Sequence, residues 1–324
     1  MKEKILITGG LGFAGMPITK HLLSKGYNVT VIDKLLFNNG QLSKIKSNKF
    51  KFFQFDILDS KKIEKFLNVN SFDIIIHLAA IVGDPACRVN ENLTIKTNLD
   101  ASKKIFSLAK KNKIKKFVFF STCSNYGLSE KNKLLKETDK LKPLSVYART
   151  KVKFEKYLLK DRSKIQKLVL RISTLYGVSD RMRFDLTINE FVKKVYFNKN
   201  FEIYHADTWR PYLNLKDLSG ILYKLLIHKK INKNSHVFNV GFSDENYTKR
   251  DIVKNISKLL PKNKKFKFVE KDFFDKRNYR VNFDRIKSLG IKKNINLKKG
   301  IKEIIDHLKI SKKNFNQKVF YNHK

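Results

Sequence analysis

The chain has 324 residues, 42% of them hydrophobic, with 70 Lys and Arg against 29 Asp and Glu, a formal net charge of +41. That length and apolar content allow a large buried core and exclude global disorder, and the longest apolar runs fall far short of the about 20 residues that span a bilayer. Two cysteines, Cys87 and Cys123, make no disulfide framework and fit a reducing cytoplasm.

From its first residues the chain runs directly into a buried-strand pattern, so no cleavable leader is expected. Strands are predicted at 4–8, 28–33, 51–56, 72–78, 116–121 and 166–172. Helices are predicted between them at 15–25, 60–67, 93–111 and 146–159. Strand–helix alternation at this spacing predicts a parallel sheet covered on both faces. Continuous apolar strands such as Ile74, Ile75 and Ile76 agree, because parallel strands are buried on both sides. The second half is less regular. Helical patterns cover 184–197, 249–260 and 297–308, a short strand pattern covers 237–240, and the lysine- and asparagine-rich stretch 311–324 is expected to be a loose tail.

The positive charge is overwhelmingly lysine and recurs along the whole chain. A nucleic-acid interface would concentrate charge in one stripe and favour arginine for bidentate contacts. The charge is therefore read as solvated helix faces and loops, and no nucleic-acid partner is expected. Its field would still attract anionic substrates.

The strongest local signal is the glycine run after the first strand. Gly9, Gly12 and Gly15 recur at intervals of three, directly after a strand and directly before a helix. The first glycine permits the tight turn, the second lets the backbone approach a pyrophosphate at the helix N-terminus, and the third allows close helix–strand packing. Phe13 and Ala14 belong to the same loop. Asp33 ends the second strand, about 20 residues on, where an acid binds the adenosine ribose and repels a 2′-phosphate. This predicts NAD as cofactor. Lys34 follows at once and would soften the preference. Asp56 and Ile57 end the third strand as candidate adenine contacts. Leu78, Ala79 and Ala80 end the fourth with small residues suited to a close cofactor, and His77 is read as structural.

Tyr147 and Lys151 are four residues apart, on one face of a helix. A free tyrosine titrates near 10. An adjacent ammonium and the positive nicotinamide of NAD⁺ both favour phenolate. Such a phenolate can take the proton from a substrate hydroxyl while hydride leaves the same carbon. Thr122, after the fifth strand, can bond the same hydroxyl.

Taken together, these residues resemble the extended short-chain dehydrogenase/reductase family, in its NAD-dependent nucleotide-sugar epimerase/dehydratase branch. The resemblance runs through about Leu308. It includes the glycine loop, Asp33, His77 to Ala80, Asn98, Ser121 with Thr122, Tyr126 with Gly127, Tyr147 with Lys151, Leu170 with Arg171, Tyr176 with Gly177, and the run from Arg210 to Asp217. It implies an α/β fold: a Rossmann-type doubly wound parallel sheet with a smaller C-terminal α/β lobe. The NAD-binding lobe would comprise 1–172 and 209–241, and the nucleotide-sugar lobe 173–208 and 242–310. Thr122, Tyr147 and Lys151 match the catalytic residues, and Asn98 matches a helix asparagine that helps hold the active-site lysine. Arg210 matches a residue that meets the substrate diphosphate, with Arg280 as a second candidate, Arg181 and Arg183 as weaker ones, and Ser124 as a further substrate contact. No metal is implied. The expected partners are a nucleotide-diphosphate sugar and a second copy of the chain, joined through helices near 93–111 and 146–159, with no membrane.

Sugar dehydratases of this branch carry an Asp-Glu pair directly after the catalytic threonine, where this chain has Cys123 and Ser124. The resemblance therefore favours a 4-epimerase acting at the sugar C4 hydroxyl. A 4-dehydrogenase or 4-ketoreductase uses the same residues. A 4,6-dehydratase, or a non-catalytic or RNA-binding member, is less well supported. Thr174 also replaces the family's usual asparagine after the Leu170–Arg171 strand.

Overall fold

The structure is a computed structural model that describes residues 2–38, 40–130, 133–231, 234–260, 266–269, 277–311, 315 and 320–322. Short apolar runs build a seven-stranded parallel sheet of β1 (Lys4–Thr8), β2 (Asn28–Asp33), β3 (Phe50–Gln54), β4 (Ile74–His77), β5 (Lys116–Thr122), β6 (Gln166–Ile172) and β7 (His236–Val240). The strand order is β7-β6-β5-β4-β1-β2-β3, so the winding reverses between β1 and β4. Ligands bind at such a reversal, outside the C-terminal strand ends. Register levels those ends: Thr8 pairs with Ile32 and with His77.

Alternating side chains feed two apolar layers. Ile5, Ile7, Val29, Val31, Ile74 and Ile76 pack against Leu218, Ile221, Leu222 and Leu225 of the helix Leu215–Ile227. Leu6, Ile32, Ile75, Phe117 and Phe119 pack on the other face against Ile105, Phe106 and Phe154. Both faces are thus covered, as continuous apolar strands require.

A second body of structure follows the sheet. Its three-stranded sheet orders Asn246–Thr248, Trp209–Asn214 and Thr174–Tyr176. A parallel pair joins Phe201–Tyr204 to Phe266–Val269. The helices Thr187–Tyr196, Lys249–Leu259 and Leu297–Ile310 enclose a third core that includes Phe184, Ile188, Tyr212, Ile252 and Ile304.

Three expectations change. The helix expected over 93–111 is interrupted: Glu91–Ile95 leads into a wide π turn, Lys96–Ala101, before Ser102–Lys111. Wide turns of this kind are frequent at functional sites, and this one presents Asn98. The strand Trp209–Asn214, expected with the first lobe, pairs in the second sheet. The described residues of the final stretch are not loose. Phe315, Phe320 and Tyr321 are buried in the third core, and the Phe184 N–H donates to the Phe320 carbonyl at 2.9 Å. Three aromatic rings in a lysine-rich stretch find apolar cover, which overrides its polar composition. Among the described residues no helix is long and apolar enough to cross a membrane.

Candidate active site

The C-terminal strand ends open into one cleft of about 850 Å³, a usual size for a small-molecule site. Gly9 holds φ at +74°, and a side chain there would come within 2.7 Å of the Ala79 backbone nitrogen. A Cβ on Gly15 would strike the Gly9 carbonyl. The loop can therefore lie flat against the end of β4 only with glycines at both places. The helix Gly15–Ser24 begins at Ala14 with no side-chain cap, so its leading N–H groups suit an anion. Gly12, Phe13, Ala14, Leu78, Ala79 and Ala80 line the same cleft.

Asp33 accepts from the backbone N–H groups of Leu11 at 3.0 Å and Leu35 at 2.9 Å. Burial pushes its carboxyl upward, while those N–H groups and the charges of Lys34 and Arg181 pull it back. Lys34 pairs with Asp56 at 3.1 Å, and Asp56 and Ile57 line the cleft beyond. Glycine cradle, uncapped helix and strand-end acid together fit a dinucleotide. His77 is structural: one ring nitrogen meets Thr8 Oγ1 at 2.7 Å, the other meets Ser102 Oγ at 2.8 Å, and burial lowers its pKa to about 3.

Thr122, Tyr147 and Lys151 converge on the cleft. Thr122 ends β5 and accepts the Ser124 N–H at 3.1 Å, leaving its own proton to donate. Tyr147 and Lys151 lie on the helix Val146–Lys160, which Ser145 caps through the Ala148 N–H at 3.2 Å. Lys151 Nζ lies 5.8 Å from the Tyr147 ring centre and 4.9 Å from that of Phe119. Burial lowers the Lys151 pKa to about 8. Burial also raises Tyr147, and the Cys87 and Asp84 charges add to this, while Arg183 and a hydrogen bond with Thr122 oppose it. The expected depression of the phenol is thus not present in the protein alone; the positive charge of an oxidised nicotinamide would favour the phenolate.

One turn beyond Lys151, Glu155 fixes the helix to the sheet. Ser121 Oγ donates to Glu155 Oε2 at 2.9 Å, and Arg171 Nε donates to Oε1 at 3.1 Å. Arg171 Nη1 reaches Tyr126 Oη at 2.9 Å, which donates in turn to Asn239 Oδ1 at 2.7 Å. Sequence reasoning missed Glu155, although its spacing from Tyr147 and Lys151 repeats the helical interval.

Two expected site residues stand elsewhere. Asn98 accepts from the Ile81 N–H at 2.8 Å and donates to the Ile81 carbonyl at 2.9 Å. Its amide braces the loop after β4, and Thr97 lines the cleft instead. Arg280 lies over the Trp209 ring at 4.7 Å, outside the cleft wall. Of this pair it is Arg277 that lines the cleft: an odd offset along an extended chain reverses the side-chain direction. Arg277 pairs with Asp84 at 2.7 Å and donates to Ser124 Oγ at 3.1 Å. Arg210 lines the cleft beside it and donates to the Arg277 carbonyl. Arg183 lines the cleft too, in a two-pronged pair with Asp185 at 3.0 and 2.6 Å. Cys123 does not: it is buried, and its thiol points to the Arg171 carbonyl at 3.1 Å.

A glycine loop at the reversal point of a doubly wound sheet, facing a Tyr/Lys/Thr group at the end of β5, defines a dinucleotide-dependent enzyme of the short-chain dehydrogenase class. The chain belongs to the NAD-dependent epimerase/dehydratase family, whose model matches residues 5–241. Its cofactor is NAD. It is 29% identical to an uncharacterised protein of Methanocaldococcus jannaschii, over 93% of this chain and 95% of the relative. It is 26% identical to the UDP-glucuronate 4-epimerase of Thermodesulfobacterium geofontis, over 93% and 94% of the two chains. In fold it is similar to the UDP-glucose 4-epimerase of Thermus thermophilus solved with NAD, with a TM-score of 0.83 at 22% identity over 95% and 99% of the chains.

Proposed function

We propose that the protein is a nucleotide-sugar 4-epimerase acting through Thr122, Tyr147 and Lys151. NAD held by the glycine loop would supply a nicotinamide able to accept a hydride from the sugar carbon and return it. Tyr147 accepts the proton of the C4 hydroxyl, Thr122 donates a hydrogen bond to that oxygen, and Lys151 holds positive charge beside the phenolate. The same phenol returns the proton when the keto sugar is reduced on its other face. Gly9, Gly12, Phe13, Ala14, Gly15, Asp33, Asp56, Ile57, Leu78, Ala79 and Ala80 are assigned to the cofactor, with Asn98 supporting the loop above it. Arg210 and Arg277, with Ser124, are assigned to the substrate diphosphate, for which guanidinium forks are suited.

The observation that carries the choice of reaction lies directly after Thr122. Cys123 is sealed in the core, where burial pushes its thiol up, and Ser124 is engaged by Arg277. An elimination needs an acid and a base at that place, and neither residue supplies one. We assign the sheet and the helices Gly15–Ser24 and Leu215–Ile227 to the NAD lobe, and the second body to the nucleotide-sugar lobe. Exposed Ile95 and Leu159 support a homodimer seam along the helices near 93–111 and 146–159. The two free, buried cysteines support a cytoplasmic setting.

Incubation with UDP-, dTDP-, GDP- and CDP-sugars tests the function. A 4-epimer formed without net NADH supports it. Stoichiometric NADH accumulation makes the protein a dehydrogenase, and loss of water from the sugar makes it a dehydratase. No turnover of any sugar, with tight salt-dependent RNA binding, overturns the enzyme reading.

A further inference from the structure

Arg181 is the most deeply buried cation of the cleft, at 2% exposure. Among the described residues no carboxylate lies within ion-pair distance of it. Its guanidinium lies over the Phe37 ring at 4.2 Å and donates to Asn322 Oδ1 at 2.7 Å. A buried guanidinium whose partners are a ring and a neutral amide is poorly compensated. Burial and the neighbouring Arg183 accordingly lower its pKa to about 9, with Asp185 and Asp33 pulling the other way. An anion in the cleft would complete its surroundings.

The place of Arg181 says which anion. Phe37 follows Asp33 by four residues, and its loop is tied to the glycine loop by Gln41, whose Nε2 donates to the Phe37 carbonyl at 3.0 Å and the Leu11 carbonyl at 3.4 Å. Arg181 therefore crosses from the second body to the strand ends that carry the glycine cradle and Asp33. Arg210 and Arg277 stand elsewhere, beside Tyr279 and Ser124.

Asn322 extends the crossing. Its Nδ2 donates to the Val82 carbonyl at 3.1 Å, in the loop after β4, and its backbone N–H reaches Asp185 at 3.3 Å. Buried Phe320 and Tyr321 fix it from behind. Lys20, on the helix that follows the glycine loop, pairs with Asp180 at 2.5 Å, although an ion pair this exposed adds little by itself. The segment from Asp180 to Asp185 is thus fastened at three points along the cofactor's track: the first helix, the loop after β2 and the loop after β4.

We propose that Arg181 and Asn322 are cofactor-retaining residues, which clasp NAD so that it stays bound from one turnover to the next. The proposal rests on NAD binding in this cleft and deepens the epimerase reading. A cofactor that cannot leave as NADH returns its hydride to the same sugar.

The test measures NAD content and exchange on the full-length protein. NAD is released by denaturation after gel filtration and quantified, and exchange is followed with the fluorescent etheno-adenine analogue of NAD in excess. Wild-type protein is expected to keep NAD through the column. Arg181→Ala and Asn322→Ala are each expected to exchange at least about tenfold faster, the scale of one lost charge-assisted or buried hydrogen bond. Arg181→Lys, which keeps the charge, serves if the alanine variant does not fold, and should fall between the two. Free loss of NAD from the wild-type protein, or exchange in the variants at the wild-type rate, overturns the proposal. So does weaker UDP or dTDP binding in Arg181→Ala with unchanged NAD exchange, because Arg181 would then serve the substrate diphosphate. Failure of the 4-epimerase reading is scored separately, by product stereochemistry in protein that retains NAD.

Discussion

Asp84 and Arg277 meet across the cleft, Oδ2 to Nη2 at 2.7 Å, and so join the loop after β4 to the second body of the protein. Asp84 Oδ1 is buried with no hydrogen-bond partner, and its charge is one of those that raise the Tyr147 pKa. A substrate diphosphate bound by Arg277 as proposed would compete with this carboxylate for the same guanidinium. The pair thus orients Arg277, and the Asp84 charge opposes ionisation of Tyr147. Asp84→Asn removes the negative charge while keeping the shape. The rise of kcat/KM with pH is expected to move to lower pH, with KM for the nucleotide sugar equal to or below the wild-type value. An unmoved profile would refute the electrostatic link. A fall in kcat of about a hundredfold or more would make Asp84 itself an acid or base of the reaction.

Most of the first half was legible because its signals are local. The glycine loop, the strand-end Asp33 and the helix carrying Tyr147 and Lys151 are each defined within a few residues. β1, β2 and β6 begin and end where apolar periodicity places them. What was not legible depends on contacts between distant segments. Arg277 and Arg280 look equivalent in sequence, and only the pairing of Arg280 with Leu134 decides which one faces the cleft. The wide turn at Asn98 is tied to Ile81 across 17 residues. Asn322 reaches Val82 across 240, and the lysines around it conceal three rings that pack inward. Glu155 was readable from helical spacing, but its role appears only beside Ser121 and Arg171.

Tyr147→Phe keeps the ring, its place on the helix and its contact with Lys151, and removes only the hydroxyl. Turnover is expected to fall by about a thousandfold, within the range of a lost general base. Bound NAD and the melting temperature should remain near wild type. Turnover near the wild-type rate in steady-state assays would refute the assignment.

Asp33→Ala removes a carboxylate that orders Leu11 and Leu35 and is assigned to the cofactor ribose. NAD affinity is expected to fall at least about tenfold, the scale of a lost charge-assisted hydrogen bond. NADP affinity should fall less, since the charge that repels a 2′-phosphate goes too. Titration of both dinucleotides into NAD-stripped protein measures the ratio. An equal fall for both would sink the ribose assignment.

Lys151 couples function to stability with a definite sign. Its folded pKa of about 8 lies below the 10.5 of an exposed lysine, because burial disfavours the ammonium. Below about pH 8 both folded and unfolded chains are protonated there, and the folded chain bears the full cost of the buried charge. Between about 8 and 10.5 the folded chain has released its proton while the unfolded chain has not, so stability rises with pH across that window. The span corresponds to about 3 kcal/mol at most. Lys151→Met should therefore be inactive yet more stable than the NAD-free wild type at pH 7, with the difference shrinking as pH approaches 10.5. Urea denaturation of the two NAD-free proteins at several pH values measures it. A difference that stays constant from pH 7 to 10.5 would show that Lys151 is not a buried ammonium, and would remove the charge on which its role beside Tyr147 depends.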